Sequence, residues 1–356
     1  MKYKNILITG GAGFVGSNLA ISLKRDYPEI KIVALDNLKR RGSELNLTRL
    51  KDGGICFLHG DIRSREDLEG SDLFDLIIEC SAEPSVLSGF DGSPNYVLNT
   101  NLVGAINCFE LARKKEADIV FLSTSRVYPV ETINALKCKK TETRFELEDL
   151  QDLPGASSKG ISEIFPLDGA RTLYGATKLC SELILQEYIA MYGMRGIINR
   201  CGVLTGPWQM GKVDQGVVVH WIARHIFGGS LGYFGYGGEG IQVRDLLHIE
   251  DFYRLLILQL EDLEKYNGQI YNVGGGRKIS VSLKELTELC RRASGKCFEI
   301  GSVSKNREGD IPIYLSDCSK ISEISGWNPT YTPENIIDEI TRWVVDNKDF
   351  LEPILG

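Results

Sequence analysis

The 356-residue chain has no long run of basic residues and no long run of apolar ones. Its formal net charge is -7, so it lacks the basic stripe with which nucleic-acid-binding proteins contact phosphates. The longest apolar stretches, such as Leu255-Leu256-Ile257-Leu258, are far too short to span a bilayer. We therefore expect neither a nucleic-acid partner nor insertion into a membrane.

Cysteine spacing and the first residues predict a reduced, cytoplasmic protein. The nine cysteines are scattered without any Cys-x-x-Cys pair, which fits free thiols and not a disulfide framework. Met1-Lys2-Tyr3-Lys4 leads straight into an apolar segment, without the successive regions of a secretory signal.

Histidine is also scarce, and its placement excludes a metal site. None of the four histidines has a cysteine or an acid nearby at metal-ligand spacing. They are His59, His220, His225 and His248.

Short apolar runs alternate with helical patterns over the first half of the chain. The runs cover residues 5–9, 30–35, 55–59, 76–79 and 118–122, and helical spacing appears at about 13–23 and 101–114. Such alternation predicts an α/β fold with a doubly wound parallel sheet, covered by helices on both faces.

The pattern changes after about residue 206. Glycines cluster at 228–229 and within 232–240, strand-like returns cover 242–249 and 269–273, and an amphipathic helix covers about 283–293. We predict a first domain at 1–206, with returning segments at about 241–275, and a smaller interleaved C-terminal domain at 207–240 and 276–356. The polar stretch 131–169 is interpreted as a long insertion, and long loops of this kind are often functional.

A glycine motif, Gly10-Gly11-Ala12-Gly13-Phe14-Val15-Gly16, follows the first strand and opens a helix. Gly10 permits the tight turn, Gly13 lets the backbone approach a pyrophosphate, and Gly16 allows close packing of helix and sheet. Phe14 and Val15 open the helix, whose free N–H groups and positive dipole end would face the phosphates. This context predicts that the first domain binds a dinucleotide.

Asp36 ends the second strand, twenty residues after Gly16. A carboxylate there can hold both hydroxyls of the adenosine ribose and would repel a 2′-phosphate, so NAD is favoured over NADP. Lys39, Arg40 and Arg41 lie close by in sequence and keep NADP open, because a cation could accept the phosphate. Asp61, after the third strand, is either placed to reach the adenine edge or a turn residue.

Tyr174-Gly-Ala-Thr-Lys178 places a phenol and an ammonium one helical turn apart, on one face. A phenol is normally protonated near neutrality, but the positive charges of a lysine and an oxidised nicotinamide favour its ionised form. Tyr174 is therefore a candidate base, and Lys178 can also hold the nicotinamide ribose. Ser123-Thr124-Ser125 follows the 118–122 strand, so a hydroxyl there can hydrogen-bond the reacting oxygen at the sheet edge where ligands bind.

These motifs together resemble the extended short-chain dehydrogenase/reductase family, over essentially the whole chain. The resemblance implies that Thr124, Tyr174 and Lys178 are catalytic, that Arg244 and Arg307 grip a nucleotide diphosphate, and that the substrate is a nucleotide sugar. Forked, charge-assisted bonds from two guanidiniums suit a diphosphate. The family also implies a homodimer, formed through two long helices near 101–114 and 174–191.

Two larger sets of residues complete the predicted site. The cofactor set comprises Gly10, Gly13, Phe14, Val15, Gly16, Asp36, Asn37, Asp61, Ile62, Ser81, Ala82, Asn101, Ser123, Tyr174 and Lys178. The substrate set comprises Thr124, Ser125, Arg126, Arg200, Gln209, Asp214, Gln215, Val217, Arg244 and Arg307.

The residues after Thr124 discriminate between reactions. Family members that dehydrate the sugar carry an Asp-Glu pair there, whereas this chain has Ser125-Arg126, so the acid and base for eliminating water are missing. Epimerisation through a transient keto sugar needs no second carboxylate. Residues 141–145 and the 208–216 segment, which contains Asp214-Gln215-Gly216, are similar to the CDP-paratose 2-epimerase branch.

Two other functions stay open from sequence. A UDP-hexose 4-epimerase, or a related nucleotide-sugar epimerase or reductase, would use the same three catalytic residues. A nucleotide-binding structural or regulatory protein without catalysis would not require them, and their presence argues against it.

Overall fold

A computed structural model describes residues 1–69, 73–90, 92–212 and 215–356. The chain divides into two units, each built from three stretches. The first unit holds Met1–Val127, Thr172–Arg200 and Tyr253–Ile270, and the second holds Tyr128–Arg171, Cys201–Phe252 and Tyr271–Gly356. The chain thus returns to the first unit twice, which is an interleaved arrangement.

Strands are short and spread over both units. In chain order they are β1 (Asn5–Thr9), β2 (Lys31–Asp36), β3 (Cys56–His59), β4 (Leu76–Glu79), β5 (Asp118–Thr124), β6 (Cys138–Lys140), β7 (Phe145–Leu147), β8 (Ala156–Ser157), β9 (Gly160–Ile161), β10 (Gly196–Cys201), β11 (Val203–Thr205), β12 (Gly232–Phe234), β13 (Val243–His248), β14 (Ile270–Val273), β15 (Ser280–Ser282), β16 (Gly301–Val303) and β17 (Ile313–Tyr314).

Helices follow most of the strands. They are α1 (Phe14–Asp26), α2 (Asn46–Asp52), α3 (Arg65–Glu69), α4 (Asn95–Leu98), α5 (Ala105–Lys115), α6 (Val130–Asn134), α7 (Leu173–Tyr192), α8 (Val217–Phe227), α9 (Ile249–Glu261), α10 (Leu263–Tyr266), α11 (Leu283–Ser294), α12 (Ser319–Ser325), α13 (Pro333–Asp346) and α14 (Lys348–Leu355). Among the residues the structure describes, no helix combines the length and apolarity that crossing a bilayer requires.

The main sheet has seven strands in the order β3-β2-β1-β4-β5-β10-β14. β1 pairs in parallel with β2 on one side and β4 on the other, and β2–β3 and β4–β5 are parallel as well. Ile6, Leu7 and Ile8 are fully buried, as expected for strands of a sheet covered on both faces. The strand order reverses between β1 and β4, and the carboxyl ends at such a switch point form the ligand-binding crevice of doubly wound folds.

The predicted fold class is confirmed, and local bounds agree closely. β1 and β4 have the predicted limits, and β2, β3 and β5 differ by no more than two residues. The helix predicted at 101–114 begins instead as a π-helical segment, Asn99–Gly104, and continues as α5. Gly104 allows this segment to approach Ile62, because a Cβ at that position would lie 2.5 Å from the Ile62 Cδ1 atom.

Packing in the first unit centres on α5, α7 and the sheet. The rings of Phe109 and Phe121 meet edge to face at 5.4 Å, and Leu7, Ile77 and Leu185 complete the same buried cluster. Aromatic pairs in this geometry add to the stabilisation from apolar burial. The sheet and α7 are therefore held as one rigid support for the residues at the strand ends.

The second unit is built on a small mixed sheet. β13 pairs in parallel with β11 and β17 and antiparallel with β15. Helix α11 begins with a reciprocal capping box between Ser282 and Glu285, and α8 is joined to α11 by a hydrogen bond from Trp221 Nε1 to Thr287 Oγ1 of 2.9 Å. Capping of this kind fixes where a helix starts.

The predicted insertion at 131–169 is structured. It forms α6 and two short antiparallel pairs, β6–β7 and β8–β9. Arg144 bonds Ser280 and pairs with Glu146 and Glu285, so the insertion packs with residues of the second unit. This grouping differs from the predicted boundaries, which assigned 128–171 to the first domain, because side-chain contacts between segments distant in sequence are invisible to local patterning.

Candidate active site

A glycine turn closes the end of β1. Gly10 adopts a φ of +62°, and a Cβ there would lie 3.0 Å from the carbonyl carbon of Cys80, which follows β4. A Cβ at Gly11 would lie 2.6 Å from the Ala34 Cα atom of β2, and one at Gly16 would collide with the Gly10 carbonyl oxygen. Gly16 thus lets the start of α1 lie close to the end of β1, and Gly11 lets the turn lie close to β2.

Helix α1 starts directly after this turn with open backbone amides. Its N-cap residue, Gly13, makes no side-chain capping bond, and Gly13, Phe14 and Val15 are partly exposed between buried neighbours. Uncapped N–H groups at a helix start bind anions, and the dipole favours negative charge there. The turn is therefore a cradle of the size and polarity that fits a pyrophosphate.

Asp36 stands at the end of β2 and touches the same turn. Its carboxylate accepts hydrogen bonds from the backbone N–H groups of Ala12 at 3.1 Å and Leu38 at 2.8 Å. Burial raises the pKa of Asp36, and the backbone hydrogen bonds oppose that effect. Its position suits a carboxylate that holds ribose hydroxyls.

Asp61 lies next to Asn37, another residue of the predicted cofactor set. Asn37 Nδ2 donates to Asp61 at 2.8 Å, and the Arg63 guanidinium makes two bonds to the same carboxylate, at 2.9 and 2.6 Å. Burial alone would raise the pKa of Asp61, but the hydrogen bonds from Arg63 and Asn37 lower it to about 2. Ile62, between them, is buried.

Lys39, one of the cations for which NADP stayed an alternative cofactor, lies over an aromatic ring. Its Nζ atom is 4.4 Å from the centroid of Tyr96, and the Arg63 guanidinium carbon is 4.9 Å from the same centroid. Two cations on one ring is a cation–π arrangement. Sequence reasoning missed Arg63 and Tyr96, and their only signal was proximity in sequence to Asp61 and Asn101.

The loop after β4 is fixed by Asn101. The amide of Asn101 accepts from Glu83 N–H at 2.7 Å and donates to the Glu83 carbonyl at 3.0 Å, while its own carbonyl accepts from Ser181 Oγ at 3.0 Å. Asn101 is fully buried, so it acts on the predicted site by holding the loop that carries Ser81 and Ala82.

The hydroxyl cluster lies where β5 ends. Ser123 Oγ donates to the buried carboxylate of Glu182, and Thr124 Oγ1 accepts from the Arg126 N–H at 3.2 Å. Ser125 and Arg126 form the single 3-10 turn that follows. Helix α7, which carries the predicted base, packs against both β5 and this turn.

Tyr174 and Lys178 lie in the first turns of α7. Thr172 caps the helix by accepting from Gly175 N–H at 3.4 Å, so the helix starts just before Tyr174. Tyr174 is half-buried, while the Lys178 side chain is 3% exposed. The Lys178 ammonium lies 3.4 Å from Glu79 Oε2 and 4.3 Å from the centroid of Phe121.

Arg200 does not occupy the place that the sequence predicted. It was expected to bind substrate, but its side chain is 3% exposed and pairs with Glu182 of α7, with Nη2 2.7 Å from Oε2 and Nε 3.1 Å from both carboxylate oxygens. A forked pair this deeply buried stabilises the packing of β10 on α7. We correct its role to a structural one.

The second unit holds the rest of the predicted substrate set. Gln209 is buried and accepts from Thr205 Oγ1 at 3.0 Å, Gln215 bridges to Lys212 through its backbone, and Val217 opens α8. Asp214 lies outside the described residues. The substrate roles of these residues stay predictions.

Arg244 and Arg307 belong to neighbouring segments of the second unit. Arg244 Nη2 lies 3.1 Å from Asp310 Oδ1 and donates to the Ile311 carbonyl at 2.8 Å, and the Asp310 N–H bonds the Arg307 carbonyl at 3.3 Å. The Arg307 guanidinium lies 3.9 Å from the centroid of the Phe234 ring. Asp310, which the sequence did not single out, thus connects the two predicted diphosphate ligands.

Metal ligation has no support in the described ranges. No group of three or more histidine, cysteine or acidic side chains is clustered there in a way that could hold a metal ion.

Several known proteins are similar to this chain over nearly its whole length. A CDP-paratose 2-epimerase of Salmonella typhi is 29% identical over 348 residues, covering 95% of this chain and 98% of that protein. A putative UDP-glucose 4-epimerase of Methanocaldococcus jannaschii is 27% identical over 345 residues, covering 96% and 99%. The crystal structure of a dTDP-glucose 4,6-dehydratase from Bacillus anthracis in complex with NAD superposes with a TM-score of 0.77 at 25% identity, covering 99% of each chain.

The family itself is identified by a family model that matches residues 6–274, more than half of the chain. The match starts in β1 and so includes the glycine turn, Thr124, Tyr174 and Lys178. NAD is the cofactor of this family, and the open amides after Gly13 fit it. The chain therefore belongs to the NAD-dependent epimerase/dehydratase family.

Proposed function

We propose that the protein epimerises a nucleotide sugar through a transient keto sugar, converting CDP-paratose to CDP-tyvelose at C2. The observation that carries the proposal is the Thr124, Tyr174 and Lys178 set with Ser125-Arg126 in place of an acidic pair. The 29% identity to a CDP-paratose 2-epimerase over most of both chains supports the choice of sugar. The protein acts in the cytoplasm as a homodimer.

Tyr174 takes the proton of the reacting sugar hydroxyl and later returns it. Bound NAD would supply the hydride chemistry at the carbon that bears this hydroxyl, with removal of the hydride from one face and its return to the other. Lys178 stabilises the phenolate and holds the nicotinamide ribose, and Thr124 donates a hydrogen bond to the reacting oxygen. Such positioned proton transfer contributes about 10²- to 10⁴-fold to a rate.

The remaining residues bind and orient. Gly10, Gly13 and the amides of Phe14 and Val15 hold the cofactor pyrophosphate, and Asp36 holds its ribose. Arg244 and Arg307 hold the substrate diphosphate, for which Arg244 exchanges its contact with Asp310. Ser125, Arg126, Gln209, Gln215 and Val217 contact the sugar and the base, a role that the sequence also predicts for Asp214.

The test offers the purified protein CDP-paratose and, separately, UDP-glucose, and follows each sugar by NMR. Formation of CDP-tyvelose alone supports the proposal. Turnover of UDP-glucose alone rejects the 2-epimerase assignment and supports a UDP-hexose 4-epimerase, the alternative favoured by the Methanocaldococcus jannaschii relative. Loss of water from either sugar would support a dehydratase.

Exposed apolar side chains on α7 support the homodimer. Leu183, Met191 and Tyr192 are more than half exposed, which is unusual for large apolar groups on one helix. Light scattering of Leu183→Glu is expected to report a monomer where the parent chain is a dimer. A parent chain that is already monomeric would reject this part of the proposal.

A further inference from the structure

An acid is buried beneath the proposed active lysine. Glu79 ends β4, in a run that is otherwise apolar, and its side chain is fully buried. Its Oε2 atom lies 3.4 Å from Lys178 Nζ, and its Oε1 atom accepts from the Ser81 N–H at 2.9 Å. A buried carboxylate is costly unless it is paired, so this residue type needs a reason at this position.

The groups around Glu79 leave Lys178 as its only close cation among the described residues. Lys178 faces it from α7, the Cys108 thiol from α5 and the Thr9 hydroxyl from β1. The Phe121 ring of β5 covers the ammonium on a further side. Burial raises the pKa of Glu79, and the charge and hydrogen bond of Lys178 oppose this.

We propose that Glu79 is a positioning residue that holds the Lys178 ammonium and offsets part of its charge, and thereby sets the pH at which the Tyr174 phenol ionises. The proposal rests on the roles given above to Tyr174 and Lys178. Opposite charges interact over several ångströms in a protein interior, so a carboxylate that close to Nζ weakens the field that the ammonium exerts one helical turn away.

The test is a near-ultraviolet titration of tyrosinate in the whole chain, without sugar. The signal of Tyr174 is obtained by subtracting the titration of the Tyr174→Phe variant made in the same background. In Glu79→Gln, which has nearly the same shape, the Tyr174 phenolate is expected to form at a pH about one unit lower, a roughly tenfold change in its ionisation constant. Glu79→Asp is expected to shift the Tyr174 transition in the same direction by a smaller amount. This variant provides the test if Glu79→Gln does not fold.

A matched control is Asp118→Asn. Asp118 is also buried and ion-paired, with Arg195 at 2.8 Å, but it begins β5, at the end opposite Thr124. This control is expected to leave the Tyr174 transition unchanged. A transition that stays the same in folded Glu79→Gln, or moves to higher pH, would overturn the proposal. The titration uses no sugar, so it tests the role of Glu79 independently of turnover. Absence of epimerase activity would reject the proposed function but would not affect the titration.

Discussion

Helix α7 carries two buried ion pairs one turn apart, and their geometries differ. Arg200 grips Glu182 by a fork with bonds of 2.7 and 3.1 Å, whereas Lys178 reaches Glu79 through one contact of 3.4 Å. A guanidinium matches a carboxylate with two parallel bonds, while an ammonium has three donors on a flexible stem. The Arg200 pair is thus fixed by a fork, whereas Lys178 holds Glu79 by a single contact, which suits the contacts proposed for its ammonium with a cofactor and a phenolate.

The largest effect is expected from removing the phenol of Tyr174, which lies one helical turn before Lys178 of the looser pair. Tyr174→Phe should lower turnover by about 10³-fold while NAD binding stays intact, because the change removes only the hydroxyl proposed to carry the proton. Steady-state kinetics and calorimetric NAD titration measure the two quantities. Tyr188→Phe, later on the same helix with its hydroxyl 3.5 Å from Glu110, is the matched control and should keep full turnover. Wild-type activity in Tyr174→Phe would remove Tyr174 from the mechanism.

The fixed pair should matter most for stability. Arg200→Met leaves Glu182 buried without its cation and should lower the free energy of unfolding by about 3–5 kcal/mol, measured by urea denaturation. Arg195→Met removes an arginine that is 44% exposed, and its partner Asp118 keeps Lys2 and Tyr3, so the loss should be about 1 kcal/mol or less. Equal losses in the two variants would contradict the distinction between the pairs.

A third carboxylate sharpens the comparison, because Asp36 is bonded by backbone amides and not by a cation. Asp36→Ala should raise affinity for NADP relative to NAD by about tenfold, since the charge that repels a 2′-phosphate is gone. Dissociation constants of both cofactors measure the ratio. Asp61→Asn, at a carboxylate already held by Arg63, should change both affinities alike. An unchanged ratio in Asp36→Ala would leave cofactor choice to other groups.

The smallest effect concerns pH and the looser pair. The pKa of Glu79 is higher in the folded chain than its ordinary value of 4.5, so the folded state binds more protons, and this carboxyl costs stability as pH rises above 4.5. Glu79→Gln lacks that titration. Its stability relative to the parent should therefore improve from pH 4 to pH 7 in urea denaturation. If the free energy of unfolding of Glu79→Gln minus that of the parent stays constant or falls over this range, the carboxyl does not titrate as the structure implies.

Local patterns predicted much of the fold and one part of the site. The apolar runs of β1 and β4, the glycine turn and the spacing of Tyr174 and Lys178 all depend on a few consecutive residues. The ion-pair partners of Arg200 and Arg244 cannot be predicted from such local patterns, because Glu182 and Asp310 meet these arginines only through tertiary packing. Glu79 was not predicted for a related reason. It ends an apolar strand, and only the folded chain shows that its partner is Lys178.

The most direct test of the mechanism follows deuterium at the reacting carbon. The protein is incubated with CDP-paratose that carries deuterium at C2, and the product is examined by NMR and mass spectrometry. Our account predicts that CDP-tyvelose keeps the deuterium at C2, because the same hydride leaves C2 and returns to it without exchange with water. Replacement of the label by hydrogen from water would contradict it.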